Sequence, residues 1–384
     1  MTLGMQDAAA ALATLPLMGP ARLLALIRAW TPEEAWHRVL GRRTLSDPDV
    51  VDACRPDPTG VTALWAQAAR GLDPATVGEA HRAAGVAVQV LGHAGYPPQL
   101  AADHQPPAVV FVKGSLECLG LPRIAIVGTR RCTRYGHDVA HRLGRELAAA
   151  GVVVVSGLAK GIDGAAHEGA LSMGGAPPVG VVGSGHDVVY PAVHRSLWRR
   201  VAEAGALLSE APLGARPEQW RFPARNRIIA ALAQAVVVVE SHAAGGSMHT
   251  VEAANDRGRT ILAVPGPVVS PASAGTNRLI GDGCTPALDT QDVLVALGLD
   301  APAPRRSGAP QHPPLPAPPD GPAAEVLDAL GWAPATLDQL LGRTGLRPGP
   351  AAVALAELEA GGWVTSTGGW WERTGVDVEA RARR

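Results

Sequence analysis

Cysteine is scarce in this sequence, and what there is lies scattered. The four cysteines form no CxxC pair and no Cys/His cluster; they are Cys54, Cys118, Cys132 and Cys284. This spacing argues against a structural zinc site and against a disulfide framework, and it suits a reducing cytosol. We therefore expect no metal site.

Long apolar segments are missing as well. The N-terminal stretch has neither a basic start nor a clean apolar core, so no signal peptide is expected in MTLGMQDAAAALATLPLMG. No apolar run approaches the roughly 20 residues that a membrane-spanning helix needs. The sequence predicts a cytoplasmic protein with no membrane partner.

Neither sign of charge is in excess. The 34 Lys and Arg residues against 35 Asp and Glu residues give a formal net charge of −1. A polyanionic partner would therefore need a local basic patch. Almost all basic residues are arginines, the two exceptions being Lys113 and Lys160. A hydrophobic content of 47% is that of a globular protein, and 384 residues predict two or three domains.

A proline-rich segment divides the chain. Residues 301–322 contain nine prolines and predict an extended linker. The stretch before it predicts a helical domain over residues 1–95, where Ala and Leu recur with helical spacing, and a main domain over residues 96–300. The stretch after it predicts a small domain over residues 323–375 and a tail at 376–384.

Residues 124–297 alternate short apolar runs with helical stretches. The apolar runs are IAIVG, VVVVSG, VGVVGSG, ALLSE, AVVVVES and TILAVPG. Short continuous apolar runs are typical of strands buried on both faces, and helical spacers between them imply right-handed parallel crossovers. The pattern predicts an α/β fold, an extended Rossmann-like, doubly wound and mostly parallel sheet.

Glycine-rich loops follow most of these predicted strands. In an open parallel sheet, ligands bind beyond the carboxyl ends of the strands, and four basic residues fall at that edge: Arg130, Lys160, Arg225 and Arg227. Glycines allow the backbone to approach a ligand closely, and the free N–H groups at helix N-termini bind anions. The first loop reads GTRRCTRYG rather than GxGxxG, and no GxxxxGK[ST] occurs. NAD binding and ATP hydrolysis are therefore disfavoured, and no cofactor is expected.

The segment FPARNRIIAALA places Phe222, Arg225, Asn226 and Arg227 at the start of a predicted helix. The arginines could reach a phosphate, and Phe222 could offer its ring to an unstacked base, a combination that suits a single-stranded nucleic acid. Two alternatives stay open at this point. Phe222 could anchor the core, and Arg227 could form a salt bridge to a neighbouring strand.

Several motifs together resemble the DNA-processing protein A (DprA/Smf) family over about residues 90–297. They are IAIVGTR, VVVVSGLAKGIDGAAHEGAL, VGVVGSGHDVVYP, SEAPLG, FPARNRIIAALA, VVVVES, GGSMHTVEAA and GRTILAVPGPVVSPASAGTNRLIGDG. The resemblance implies a bacterial protein that binds single-stranded DNA, protects incoming strands in natural transformation and loads the RecA recombinase. It also implies a homodimer without enzymatic activity.

The same resemblance implies a set of DNA-binding residues. Mapped motif by motif, these are Gly128, Thr129, Arg130, Ser156, Gly157, Lys160, Gly161, Phe222, Arg225, Asn226, Gly245, Gly246 and Ser247, beside Arg227 from the segment described above. Two positions depart from the family pattern. Thr129 stands where Ser is usual, and AAGGSMHT stands where SGSLIT is usual.

The flanking regions predict further modules. LPLMGPARLLAL is weakly similar to a helix-hairpin-helix turn, in a helical domain of SAM or helix-hairpin-helix type; a plain helical turn is the alternative. Residues 323–375 predict a winged helix with a third helix from Gly349 to about Ala360 and a wing near Gly368 and Gly369. The third helix carries glutamates as its only charges, which disfavours major-groove reading and favours contacts with protein.

A Rossmann-like nucleotide hydrolase of the lysine-decarboxylase-like group is the competing hypothesis. In its favour, GGSMHTVEAA offers Thr250 and Glu252, and Asp163 with His167 could share one helix face as an acid/base pair. Against it, the PGGxGT sequence of that group is absent. FPARNR would also be unnecessary for a small nucleotide.

Overall fold

The computed structural model describes residues 3–299, 320–331 and 333–373. The chain separates into two compact units, one ending at residue 301 and the other beginning at residue 302. Residues 301–319 of the predicted linker at 301–322 and the whole predicted tail at 376–384 lie outside the described residues. Within the described ranges, no helix combines the length and the apolar character required to cross a bilayer.

A nine-stranded sheet organises the larger unit. Its strands are β1 (Ala87–Val90), β2 (Val109–Gly114), β3 (Arg123–Val127), β4 (Val153–Ser156), β5 (Val179–Val182), β6 (Ala206–Ser209), β7 (Ala235–Val238), β8 (Thr260–Ala263) and β9 (Thr285–Pro286). Their order across the sheet is β1-β2-β6-β5-β4-β3-β7-β8-β9. In this order, every neighbouring pair from β6 onward is parallel. The predicted doubly wound, mostly parallel α/β fold is confirmed.

Helices cover both faces of the parallel part of the sheet. They are α8 (Arg134–Ala149), α9 (Ile162–Ala170), α10 (Arg195–Ala204), α11 (Arg221–Leu232), α12 (Met248–Asn255), α13 (Ala274–Gly281) and α14 (Thr290–Ala296). Helices α8, α9 and α14 share one core with alternate strand residues, and α11, α12 and α13 share the other. The valine runs form strands because each of their side chains is buried against one of these two layers.

Six helices precede the sheet. They are α1 (Met5–Ala13), α2 (Pro20–Ala29), α3 (Pro32–Leu40), α4 (Pro48–Ala53), α5 (Pro58–Ala69) and α6 (Pro74–Ala83), and a short α7 (Pro98–Ala101) follows β1. Four of them begin with an Asp or Thr side chain that caps the helix and a Pro directly after it. The helices pack on β1 and β2, so their core includes Val88, Val90 and Phe111.

The two antiparallel strands β1 and β2 extend the sheet beyond what the sequence predicted. Residues 1–95 predicted helices only, yet Ala87–Val90 forms a strand that pairs with β2, which in turn pairs with β6. The reason lies in tertiary packing. AVQV is too short to show a strand period, and it becomes a strand because one face packs on the N-terminal helices.

The order of the strands reverses between β3 and β7. From β3 the chain proceeds to β4, β5 and β6 on one side, and α11 then returns it to β7 on the other side of β3. Ligands of open α/β sheets bind at such a switch point, beyond the carboxyl ends of the strands. The loops that follow β3, β4, β5 and β7 all meet at this edge.

The smaller unit is a winged helix. It contains α15 (Pro322–Leu330), α16 (Leu337–Thr344), α17 (Pro348–Ala360) and a three-stranded sheet of β10 (Ala335–Thr336), β11 (Val364–Thr367) and β12 (Trp370–Arg373). Gly368 and Gly369 form the hairpin turn with φ angles of 60° and 82°, which L side chains disfavour. The winged-helix prediction is confirmed.

Candidate nucleic-acid interface

A cleft of about 130 Å³ opens at the carboxyl ends of β3, β4 and β5. Its lining residues come from three different loops, the end of β5 and the start of α11; they are Arg130, Gly157, Ala159, Lys160, Val182, Gly183, Ser184, Tyr190, Pro191, Phe222 and Arg225. The topology of the sheet thus brings together residues that lie up to 95 positions apart in the sequence. We call this site the cleft.

An arginine and two aromatic rings form one wall of the cleft. The Arg130 guanidinium carbon lies 4.7 Å from the centre of the Phe222 ring, a cation–π distance. The Tyr190 ring lies on Phe222 with 5.5 Å between centroids and a tilt of 44°. Phe222 is therefore partly exposed and lines the cleft, rather than anchoring the core. The arrangement offers an aromatic surface beside a fixed positive charge.

Two basic groups of the cleft carry no acidic partner. Arg130 and Lys160 are both exposed, and neither forms an ion pair within the described ranges. The backbone of Lys160 is positioned by the next residue, Gly161, which packs closely against the Thr129 carbonyl. The φ of +77° and this close approach exclude any side chain at Gly161. An anion entering the cleft would meet positive charge that the protein itself has not neutralised.

Arg225 lies almost fully buried at the floor of the cleft rather than displayed in it. Only 6% of the residue is exposed, and its Nη1 donates hydrogen bonds to the carbonyls of Gly157 and Val181. Burial lowers the pKa of the guanidinium to about 10, so the group remains charged at neutral pH. A side chain on Gly157 would collide with this guanidinium, which explains the glycine at that position.

Asp163 provides the negative charge that accompanies Arg225. Its carboxylate accepts a hydrogen bond of 3.1 Å from the Gly157 backbone N–H. Burial raises the pKa of the Asp163 carboxyl, and the positive charge of Arg225 acts in the opposite direction. Asp163 and Arg225 therefore hold the loop after β4 from both sides, and the loop carries Lys160 into the cleft.

The remaining predicted residues of the first two loops act through close packing and buried hydrogen bonds. Gly128 lies so close to Ile162 and to the Glu240 carbonyl that a Cβ would overlap both. The Thr129 N–H donates to the Glu240 carbonyl at 2.8 Å, which ties the loop after β3 to the loop after β7. Ser156 is fully buried and donates to the Ile126 carbonyl at 2.6 Å. These residues shape the edge without lining the cleft.

The loop after β7 lies beside α11. The Asn226 side-chain amide donates to the Gly246 carbonyl at 3.4 Å, and the Ser247 hydroxyl donates to that of Ser241 at 2.8 Å. Gly245 lies close to the Ser241 hydroxyl, whereas Gly246 has open space around its Cα. None of these residues lines the cleft, so the structure places them in its supporting layer.

Arg227 points away from the cleft. Its guanidinium forms an ion pair with Glu210 and donates to the Gln105 carbonyl. Residues two positions apart lie on different faces of a helix, so Arg225 and Arg227 cannot address the same site. The salt-bridge alternative for Arg227 is the arrangement that the structure has.

The hydrolase residues do not assemble into a site. His167 is fully buried, burial lowers its pKa to about 4, and neither His167 nor Asp163 lines the cleft. Thr250 is buried, whereas the exposed Glu252 side chain pairs with His249 at 3.2 Å. The described residues therefore bring no acid/base pair into the cleft.

Sequence reasoning missed Tyr190 and Glu240. Tyr190 reaches Phe222 from the loop after β5, and the only signal for it was an aromatic residue in HDVVYP, near the end of a predicted strand. Glu240 is buried and accepts hydrogen bonds from the N–H and hydroxyl of Thr133, the residue that caps α8. Its position directly after the valine run of β7 was visible in the sequence.

Comparison with known proteins identifies the family. A sequence model described as DNA recombination-mediator protein A matches residues 69–298, more than half of the chain. The chain belongs to the DNA recombination-mediator protein A (DprA) family. A second model, the DprA winged helix domain, matches residues 310–369. The resemblance noted in the sequence is confirmed.

Curated relatives agree with the family model. Protein Smf of Escherichia coli is 37% identical over 72% of this chain and 75% of its own length. A putative DNA processing protein DprA of Mycobacterium tuberculosis is 40% identical over 64% of this chain and 63% of its own length. These relatives share the DprA region with this chain, whereas parts of each protein lie outside the alignments.

Solved structures agree as well. DprA from Streptococcus pneumoniae is 31% identical, has a TM-score of 0.61, and covers 77% of this chain and 98% of its own. DprA from Helicobacter pylori is 29% identical, has a TM-score of 0.50, and covers 55% of this chain and 95% of its own. The description of the Helicobacter structure states that this protein binds single-stranded DNA.

Proposed function

We propose that this DprA-family protein binds single-stranded DNA through the cleft. The observation that carries the proposal is the stack of Arg130 on Phe222 beside Lys160, because it joins an accessible ring to positive charge without an acidic partner. The Helicobacter relative, whose description names single-stranded DNA, gives further support.

The aromatic wall favours a single strand over a duplex. Bases in a duplex are stacked on each other and have no free face for a protein ring, whereas a single strand can turn a base onto Phe222. Arg130 and Lys160 would contact the phosphates on either side of that base. Arg225, Gly157 and Asp163 would act indirectly, because they hold the loops that carry these groups.

Fluorescence anisotropy with labelled oligonucleotides tests the proposal. The wild type should bind a single strand more tightly than the duplex of the same sequence, and affinity should fall with salt as phosphate contacts release counterions. Arg130→Ala should weaken binding and make the salt dependence shallower. Arg278→Ala is the matched control, since this arginine is 72% exposed and lies on α13 outside the cleft. Equal affinity for duplex and single strand would contradict the proposal.

At the level of the cell, we propose that the protein acts in the cytoplasm during natural transformation, where it protects incoming strands and loads the RecA recombinase on them as a homodimer. The family description, a recombination mediator, supports this role. The proposal includes no catalysed reaction and no cofactor. A strand-exchange assay with RecA and a single-strand-binding protein tests the loading step, because the chain should shorten the lag before exchange. Analytical ultracentrifugation tests the dimer.

The predicted domains would divide this work. We assign DNA binding to residues 96–300 and a protein-contact or regulatory role to the winged helix at 323–375, because α17 carries Glu357 and Glu359 on its exposed face and no basic residue. Residues 1–95 would flank the DNA-binding domain. A truncation ending near Leu297 should keep single-strand binding.

A further inference from the structure

A groove of about 850 Å³ lies beside the cleft, between the turn that joins α1 to α2 and the segment that leads into α11. Its walls include Leu17 and Arg22 on one side and Glu218, Trp220 and Arg221 on the other. Leu17 is 59% exposed and Trp220 is 45% exposed, so two large apolar side chains border the same open space. We call this site the groove.

The groove and the cleft are neighbouring sites. A small cavity between them shares Val182, Gly183 and Arg225 with the cleft, and it shares Trp220 and Arg221 with the groove. Gly183 lies directly against the start of α11, because a Cβ there would contact the Arg221 backbone and the Phe222 ring at 3.5–3.7 Å. The two sites therefore share the segment at the start of α11, where Trp220 and Arg221 line the groove and Phe222 lines the cleft.

The groove repeats the stacking arrangement of the cleft. The Arg221 guanidinium carbon lies 4.5 Å from the centre of the Trp220 ring, much as Arg130 lies over Phe222. Glu218 fixes this second stack, because its carboxylate accepts hydrogen bonds from the Trp220 indole at 2.7 Å and from Arg221 at 3.3 Å. Trp220 and Phe222, two residues apart at the start of α11, thus each present an aromatic ring, one to the groove and one to the cleft.

The charges of the groove differ from those of the cleft. Arg221 is paired with Glu218, and Arg22 donates its hydrogen bonds to the carbonyls of Leu17 and Ala53. Arg22 has no acidic partner among the described residues, whereas the arginine that stacks on Trp220 is paired, so the Trp220 side of the groove offers ring and apolar surface rather than phosphate contacts. Bases suit such a surface better than a phosphate backbone does.

We propose that the groove is a second base-binding site, in which Trp220 stacks on a base of the single strand that leaves the cleft. This inference rests on the proposed function, because the strand must first occupy the cleft. It predicts that Trp220 contributes to binding only when the oligonucleotide is long enough to reach the groove. It also predicts that this contribution is insensitive to salt.

Anisotropy with a length series of oligothymidines, from about 4 to about 20 nucleotides, tests the inference. Trp220→Ala should match the wild type on the shortest strands that bind and should weaken binding about tenfold on long ones, the effect of losing one base stack. The salt dependence should keep its slope. Trp220→Phe should restore most of the loss, and Met173→Ala, which removes another exposed side chain outside both sites, should have no effect.

The outcomes separate the two proposals. If Arg130→Ala weakens all lengths but Trp220→Ala weakens none, the cleft binds DNA and the groove proposal is wrong. If Trp220→Ala weakens short and long strands equally, Trp220 does not mark a separate site, and the groove proposal is also wrong. If the wild type binds no single strand at any length, the proposed function fails and the groove proposal fails with it.

Discussion

Replacement of Arg225 by alanine should destabilise the larger unit, and any loss of DNA binding should result from this destabilisation. The guanidinium is buried, donates to two backbone carbonyls, and offsets the charge of the buried Asp163. Removing one partner of a buried charged pair costs about 3–5 kcal/mol. For a domain of this size, such a loss lowers the melting temperature on the order of 10 °C.

The pH dependence of that loss provides a second test. Burial raises the pKa of the Asp163 carboxyl, so this carboxyl binds a proton more tightly in the folded protein than in the unfolded chain. The bound proton stabilises the folded protein at acid pH, and this stabilisation is lost as the pH rises. Without Arg225 the pKa should rise further. Arg225→Ala should therefore cost more stability at pH 7 than at pH 5.

Calorimetry at the two pH values measures both effects. The double variant Arg225→Ala with Asp163→Asn should recover part of the loss at pH 7, because no buried charge is left without its partner. Arg278→Ala, on an exposed arginine, is the control. If Arg225→Ala kept the melting temperature of the wild type and yet abolished DNA binding, Arg225 would contact the ligand directly and the reasoning would be refuted.

Three further predictions concern other residues. Arg227→Ala should lower the melting temperature, because it leaves the largely buried Glu210 without its partner. It should leave the salt dependence of DNA binding unchanged; a shallower dependence would place Arg227 in the interface. Gly161→Ala should cost more than the roughly 1–2 kcal/mol that a positive φ alone costs, because its Cβ would also collide with the Thr129 carbonyl. It should weaken single-strand binding in an anisotropy titration; unchanged affinity would contradict the role of this loop. Burial lowers the pKa of His167 and His186 to about 4, so the melting temperature should fall as the pH drops from about 6.5 towards 4, where only the unfolded chain takes up these protons; a constant value would be contrary evidence.

Much of the fold was predictable because burial on both faces leaves a plain pattern. Continuous runs such as VVVVSG and AVVVVES fit only strands covered by two layers, and the structure buries every residue of β4 and β7. The antiparallel strands β1 and β2 were not predicted. They depend on packing against the N-terminal helices, among them α1, which lies more than 70 residues earlier in the chain, as the contact of Phe111 with the N-terminal core shows.

The site was predictable as a set of loops and less so as a set of contacts. The sequence predicted that Arg130, Lys160 and Phe222 meet at one sheet edge, and all three line the cleft. It could not distinguish an arginine beneath the surface from one displayed on it, so Arg225 was expected to reach a ligand. That difference depends on the carbonyls of Gly157 and Val181, whose positions only the folded sheet defines.

The claim that the cleft takes an unstacked base is tested most directly with an abasic single strand, which keeps the phosphates and lacks the bases. Anisotropy would compare this strand with oligothymidine of equal length, using the wild type and Phe222→Leu. The account predicts that Phe222→Leu weakens oligothymidine binding about tenfold and leaves the abasic strand unaffected, since only the ring face is lost. Equal losses on the two strands, or none on either, would contradict base stacking on Phe222.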